Sequence, residues 1–501
     1  LIDLNELTGA GRDSSSLDEQ IKDLRMQFKF NSTARSFTES PNLPVGEFFI
    51  QHLHAQFTHY PHELHDFNAD ILIDENNFNV IDFTGMIDQS DFHFTGNLKN
   101  YDLWFSDNPS GTTILDFNLN SSLLQLDDLF AYRGENYVPE DYRHEEISNL
   151  KLHGVTKLDF DGTFSNCRTT IDQVEAGLKI HPMRFKQFRG EIYYDKSRLE
   201  VSDMSGILGN SDFSISMSYN FESGSSAEPH SFTLNSDRLD FDQLFAYNPP
   251  PADQQMTPEA HEAGFNIFEL PFSNMRFDFN VNHLNYHRIL IDDFNIKGRM
   301  QEDHFIYLDT MAFKAAGGNI RLKGYFNGSD PKAIYFSPDL HVENVDLDKL
   351  MFKFENFGQD HLVSENLHGN LSGTISGRIH MHADMVPIID DSELHLNFSV
   401  INGSLNNYAV FNSLSDYFVD KNLNHVRFDT LTNSLDMKDG KLHIPAMNIN
   451  SSLGFFEISG TQEIDLSMEY YLRLPVKLVT RAAAHKLFGA KDTDTSGQVD
   501  E

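Results

Sequence analysis

Hydrophobic residues in this chain fall at every second position over short stretches. Met26, Phe28 and Phe30 form one such run. Phe92, Phe94, Gly96 and Leu98 form another, and Phe213, Ile215, Met217, Tyr219 and Phe221 a third. Met275, Phe277, Phe279 and Val281 repeat the pattern, as do Leu394, Leu396, Phe398 and Val400. The intervening residues are mostly Asp, Asn, His, Lys, Ser and Thr. Side chains of a strand alternate between two faces, so this period predicts antiparallel strands with one apolar face and one wet face. Helical patterns are few: short Asp-led turns, Leu405 to Phe418, and Val476 to Phe488.

Two marks recur in the same order, which predicts a repeat. The first is Ile2 to Leu7 (IDLNEL), Leu124 to Leu129 (LQLDDL), Leu239 to Leu244 (LDFDQL) and Val345 to Leu350 (VDLDKL). Asp followed by an apolar i, i+3 pair reads as a helix start, with Asp127 or Asp242 as cap. The second mark is a strand, a turn, a strand, a small-residue turn and a third strand. It begins at Phe67, Phe188, Phe294 and Ser434, and its closing strands align on Gly96, Met217, Gly324 and Gly460. The turns before them are Gln89-Ser90, Asn210-Ser211, Gly317-Gly318 and Ser452 to Gly454, which suit antiparallel neighbours.

The marks divide the chain into β-repeat units over 1–132, 133–247, 248–352 and 353–475. An amphipathic helix over 476–489 and an acidic, disordered tail over 490–501 follow. Leu1 enters in the middle of a unit, so the expectation is a chain cut from something longer. The predicted fold class is all-β in the main: an elongated, repeating antiparallel sheet curled into a groove, with a few short helices. The apolar face needs a cover. Alternation alone leaves two solutions open, a packed β-sandwich core or a groove that holds an apolar ligand.

Charge narrows the partners. The formal net charge is −37, from 75 acidic and 38 basic residues. Phosphate binding needs clustered Lys and Arg, so nucleic acid is excluded as a partner. The one cysteine, Cys167, rules out an internal disulfide or a Cys-based zinc site. No run of 18 apolar residues encodes a membrane span.

Candidate chemistry is sparse. His59, His62 and His65 occur with Glu63 in HYPHELH. Such spacing gathers ligands on a helix, but Pro61 interrupts one and the segment leads into a strand. His380, His382 and Asp384 share one face of a strand and read as solvated. Asp492, Asp494, Ser496 and Gly497 copy the first half of an EF-hand loop, but the twelfth-position Glu is missing. No nucleophile elbow, phosphate loop or paired-histidine zinc motif occurs. The expectation is therefore no enzyme, no metal and no cofactor.

Val476 to Phe488 places Lys477, Arg481 and His485 at i, i+4, with Lys486 beside them and no acidic residue between. A basic amphipathic helix can lie on an anionic membrane, with Lys477, Arg481 and Lys486 as the contacts. It can equally plug the end of a groove, its basic residues facing the negative end of its own dipole.

The region from Leu423 to Leu474 resembles the C-terminal region of the AsmA family. The carrying features are Val426-Arg427-Phe428, Leu431 with Asn433, Asp439-Gly440, Ile444-Pro445-x-Met447, Ser451 to Gly454, Ser459-Gly460, and Tyr471-Leu472-Arg473-Leu474-Pro475. Ile401-Asn402-Gly403-Ser404 fits the same template. One departure is Gln462 after Thr461, where the family often has His. The resemblance implies a protein of the envelope of bacteria with two membranes. It implies a periplasmic body, anchored in the inner membrane through a segment N-terminal to this chain. It also implies passage of phospholipid between inner and outer membranes, supporting outer-membrane biogenesis.

On that reading the apolar positions Phe28, Phe30, Phe92, Phe94, Phe213, Ile215, Met217, Phe277, Phe279, Leu396, Phe398, Ile444 and Ile458 line a lipid groove. The implied partners are phospholipid or other acyl chains, the two membranes, and envelope proteins. The alternative is a structural or adaptor β-repeat protein of the envelope, with a solid core and protein partners.

Overall fold

The computed structural model describes residues 2–3, 20–39, 43–106, 108–136, 138, 143–180, 182–221, 229–244, 267–269, 272–286, 289–353, 365–383, 387–407, 421–463 and 467–475. They belong to two compact units, Leu1–Asn248 and Pro249–Glu501. The chain is mainly β in both.

The first unit contains β1 (Ile2–Asp3), β2 (Gln20–Ser32), β3 (Gly46–Phe57), β4 (Leu64–Ile73), β5 (Asn77–Ile87), β6 (Ser90–Lys99) and β7 (Ser110–Gln125). A two-stranded hairpin follows, β8 (Ala131–Tyr132) with β9 (Glu135–Asn136). The sheet resumes with β10 (Glu146–Asp161), β11 (Thr163–Leu178), β12 (Arg184–Asp195), β13 (Arg198–Leu208), β14 (Ser211–Asn220) and β15 (His230–Asp240). Each of these strands pairs antiparallel with the one before it, and β7 pairs β10 across the small hairpin.

The second unit contains β16 (Met275–Tyr286), β17 (Ile289–Gln301), β18 (Phe305–Ala315), β19 (Gly318–Asn327), β20 (Tyr335–Asp346) and β21 (Leu367–Met381). It continues with β22 (Pro387–Asn406), β23 (His425–Lys438), β24 (Lys441–Ser451), β25 (Gly454–Glu463) and β26 (Met468–Arg473). Pairing again follows chain order and is antiparallel throughout. Among the described residues no pairing closes either sheet into a barrel.

Short helices lie where the Asp-led marks predict them. Leu126–Leu129 follows β7, Phe241–Leu244 follows β15, and Leu347–Lys353 follows β20. The caps differ from expectation. The carboxylate of Asp240 accepts the Gln243 N–H at 3.1 Å, and that of Asp346 accepts the Lys349 N–H at 3.2 Å. The capping residue is thus the first Asp of the mark, not Asp242, because the chain turns helical two residues earlier. In the remaining described copy Gln125 holds that position and makes no side-chain cap, so Asp127 does not cap either. Leu405 and Asn406, the expected start of a helix, instead complete β22, and the rest of that segment, residues 408–420, lies outside the described residues. Residues 476–501, with the amphipathic helix and the acidic tail, lie outside them as well.

The small-residue turns have a physical reason to recur. Ser90 and Ser211 are both fully buried. Their hydroxyls accept the N–H of Gln125 and of Asp240, each at 2.9 Å, where the strand gives way to the helix. The neighbouring Asp does the same one step further along. Asp91 accepts the N–H of Ser122 at 2.9 Å and of Leu123 at 2.7 Å. Asp212 accepts those of Asp237 at 3.0 Å and Arg238 at 2.7 Å. These donors leave the ladder as the strand ends, and the hydroxyls and carboxylates supply the acceptors that the neighbouring strand no longer offers. Burial pushes the Asp91 carboxyl up, but the backbone donors outweigh it and hold it below the usual carboxylate range.

Beside the helix Leu347–Lys353 the chain packs small cores rather than a continuous one. Val345 is fully buried among Ala315, Ala316 and Ile320. Leu347, Val400 and Phe428 form a second cluster. At the opposite ends of the strands, Asp turns close the hairpins. Asp195 accepts from Ser197 and Arg198, and Asp74 from Asn76 and Asn77.

Replacing Asp91 by Ala orphans the Ser122 and Leu123 donors and lowers unfolding free energy by about 1.5–3 kcal/mol, measured by urea denaturation. The Asp195 turn gives a pH test. The Ser197 hydroxyl first, then the Ser197 and Arg198 N–H groups and the Tyr193 hydroxyl, hold Asp195 at about 2 against partial burial. Folding lowers this pKa, so its stabilisation is complete above the unfolded value of about 3.9 and fades as pH falls through the folded one. Asp195→Asn flattens the acid limb of the stability profile in that window. An unchanged limb removes this turn from the account.

Candidate apolar binding face

Directly opposed residues of an antiparallel pair point to the same face. The registers therefore trace apolar rows across each unit. In the first unit one row runs Phe28, Ile50, Ala69, Phe83, Phe94, Leu119, Leu152, Val174 and Phe188. The Phe188 ring then meets Phe213 at 5.0 Å between centroids. A parallel row runs Phe30, Phe48, Ile71, Val80, Gly96, Phe117, Gly154, Ile171 and Gly190, and resumes with Met204, Ile215 and Leu234. In the second unit Phe279, Ile296, Met311, Leu322, Leu340, Ile375, Leu396 and Leu435 form one row.

Most of these side chains are only half-buried. Phe28 and Phe30 are 48% and 54% exposed. A sealed sandwich core buries such residues almost completely. Contiguous exposed apolar surface beyond a few hundred Å² is rare on soluble proteins unless it binds something.

Glycines shape the floor between the rings. A Cβ on Gly96 would lie 2.9 Å from the Asp116 carbonyl oxygen and 3.0 Å from the Phe94 ring. One on Gly154 would lie 3.2 Å from the Phe117 ring. Phe188 lies against Gly206 and Phe277 against Gly298 in the same manner. The absent side chain is the space that each ring fills, so the rings lie down along the sheet.

The opposite face is wet and charged. His153 stands between Asp172 at 3.0 Å and Asp116 at 3.6 Å. His395 contacts Asp436 at 2.6 Å, Lys297 contacts Asp278 at 2.9 Å, and the Arg299 guanidinium lies 4.7 Å from the Tyr307 ring centre. These are exposed pairs of small energetic weight.

The sequence-derived positions fall on the apolar rows. Phe92 opposes Gly85, Met217 opposes Val201, Phe277 opposes Gly298, and Phe398 opposes Gly373. Ile444 opposes Gly460, and Ile458 sits between Met447 and Leu472. Lys477, Arg481 and Lys486 lie outside the described residues. The HYPHELH histidines take separate partners: His62 meets Asp88 at 2.7 Å, His65 meets Asp66 at 2.7 Å, and the His59 ring meets Tyr132. No group of three or more His, Cys, Asp or Glu forms a metal cage among the described residues.

Strict alternation missed a further set. Asp66, Gln187 and Asp293 adopt left-handed backbone, with φ of 55°, 54° and 51°. The register shifts beside each of them, as at a β-bulge. The next residue is Phe in all three cases, Phe67, Phe188 and Phe294, and the bulge turns that ring onto the apolar face. Phe67 meets Phe83 at 5.4 Å and Phe294 meets Phe313 at 6.2 Å. Asn68 and Asn295 donate their side-chain amides to the carbonyls of Asp66 and Asp293, at 2.8 and 2.7 Å. The available signal was the recurrence of a polar residue before Phe where the alternation breaks.

Scans of the chain against protein-family models, curated proteins and solved structures give no match.

The bulge gives a direct test. Asp66→Gly keeps the left-handed backbone and leaves the urea midpoint nearly unchanged. Asp66→Val, at the same exposed position, costs about 1–2 kcal/mol because a β-branched residue resists that conformation.

Proposed function

We propose that the chain holds or conducts phospholipid acyl chains along its apolar β-face, in the periplasm between inner and outer membranes. The observation that carries this reading is the unbroken row from Phe28 to Phe213, apolar on nearly every strand it crosses and only half-buried. Exposing a methylene to water costs ~0.8 kcal/mol, so an acyl chain laid on such a row is stabilised by contact alone. The row crosses eleven strands, from β2 to β14, and at ~4.8 Å spacing extends about 48 Å before curvature, longer than one lipid tail. No charged residue interrupts it. The wet opposite face keeps the occupied protein in water.

The resemblance of Leu423 to Leu474 to the AsmA family supports this reading, and it is the ground for proposing a periplasmic, inner-membrane-anchored setting and a role in outer-membrane biogenesis. Binding and passage require no catalytic group, so the proposed role is not enzymatic.

Gently purified protein is predicted to carry phospholipid, seen as discrete added masses by native mass spectrometry. Ile215→Asp and Phe279→Asp place a charge on a half-buried row position, so the lipid is lost while the urea midpoint moves little. Global unfolding of both variants, with no lipid on the parent protein, instead marks the face as a closed core and favours a structural or adaptor protein.

A further inference from the structure

Among the described residues of the first three repeats, the hairpin ends of the apolar rows are covered in two and uncovered in one. In the first repeat, Tyr101 is buried over Phe48, Ile73, Phe78 and Leu98, with Leu43 beside it. In the third, Ile267, Ile334 and Phe272 cover Phe326, which is only 3% exposed. The second repeat has no such cover among the described residues. Tyr194 and Phe221 are 42% and 46% exposed there. They stand in a strip with Phe164, with ring centroids 6.1 Å and 5.9 Å apart.

The strip is widened by the preceding repeat. The 3-10 helix Tyr101–Phe105 turns its buried Tyr101 inward, which leaves Trp104 and Phe105 outward, each 55% exposed. Trp104 meets Phe160 at 6.0 Å, and Phe160 opposes Phe164 across the hairpin. The strip continues into the rows, because Tyr194 opposes Cys167 and Leu199, and Leu199 opposes Tyr219. Trp and Tyr carry a polar tip on an apolar body, which suits a boundary between water and an apolar surface.

At Phe164 the apolar strip meets a polar recess of about 380 Å³ between two hairpin turns. Asp161, Asn166, Tyr193 and Lys196 also line it. Asp195 and Arg198 there are already engaged with each other. Lys196 and Asp161 have no ion-pair partner among the described residues, so the recess offers one free cation and one free anion.

We propose that this open margin of the second repeat is where a single zwitterionic phospholipid enters the apolar face. Its acyl chains pass over the aromatic strip. Its phosphate meets Lys196 and its headgroup cation meets Asp161. The inference rests on the acyl-binding reading above. It adds a place of entry and a headgroup class. A flat anionic bilayer is a poor partner for this margin, because its basic residues are balanced or outnumbered by Asp159, Asp161 and Asp195.

Trp104 is the only tryptophan in the chain and sits on the strip, so its emission reports the event. The whole chain is mixed with vesicles of phosphatidylcholine brominated along the acyl chains, and quenching is followed in time. Quenching is expected, and phosphatidylglycerol with the same chains quenches more slowly. Tyr194→Asp slows quenching roughly tenfold, since an exposed ring is exchanged for a charge on the path. Lys196→Glu slows it for phosphatidylcholine without touching the rings. Tyr194 is exposed, so its urea midpoint should hold. If it does not, Lys196→Glu carries the test. Lipid that binds by native mass spectrometry while Trp104 stays bright overturns this entry point and leaves the acyl-binding face standing. No bound lipid by either method overturns both. Stable sedimentation of the protein with the vesicles marks the strip as a membrane-docking surface and also overturns the proposal.

Discussion

Register is the constraint on which the rest of this structure depends. A strand slipped by one residue would turn every apolar side chain to the wet face. Across thirteen successive strands such errors would accumulate, so each pairing has to be pinned locally. The pins are polar and lie at strand ends and bulges. Ser90 and Asp91 fix β6 against β7, and Ser211 with Asp212 fixes β14 against β15. Asp74 and Asp195 fix the opposite hairpin ends. These hydrogen bonds add directional selection to the register that the apolar rows already favour. Hydrophobic contact is non-directional, whereas these hydrogen bonds select one partner.

This division of labour explains the acidic, Asp- and Asn-rich composition in part. Many of the acidic side chains are not general surface charge. They are acceptors for backbone donors that the ladder leaves free. Asp240 and Asp346 start helices, and Asp66 and Asp293 accept left-handed backbone at bulges. The small cores around Val345 and Leu347 then anchor the strand ends, and the middle of each sheet is left half-buried.

Much of this was legible in the sequence. The period of two around Phe94, Ile215, Phe279 and Leu396 places those residues on one face, and the sheet puts them there. The Asp-led marks locate the short helices, although the cap falls on Asp240 rather than Asp242. The second mark begins at Phe67, Phe188 and Phe294, which are the residues that follow the bulges. The reason was not legible, because a bulge adds one residue to the count and appears in a linear pattern only as a lapse in alternation. The differing closure of the hairpin ends was also hidden. Tyr101 covers its own repeat and Ile267 covers another, but both come from connecting segments with no periodic signal.

The glycines beneath the rings have a further consequence. Gly96, Gly154, Gly206 and Gly298 let the neighbouring aromatic rings lie along the sheet, where a side chain at the glycine position would hold them upright. The surface that results has little corrugation in the direction that crosses the strands. Any flexible hydrocarbon resting on it meets contact of similar strength at each ~4.8 Å step. Dispersion then holds such a molecule without assigning it a single resting place, so friction along the row is low even where total adhesion is high.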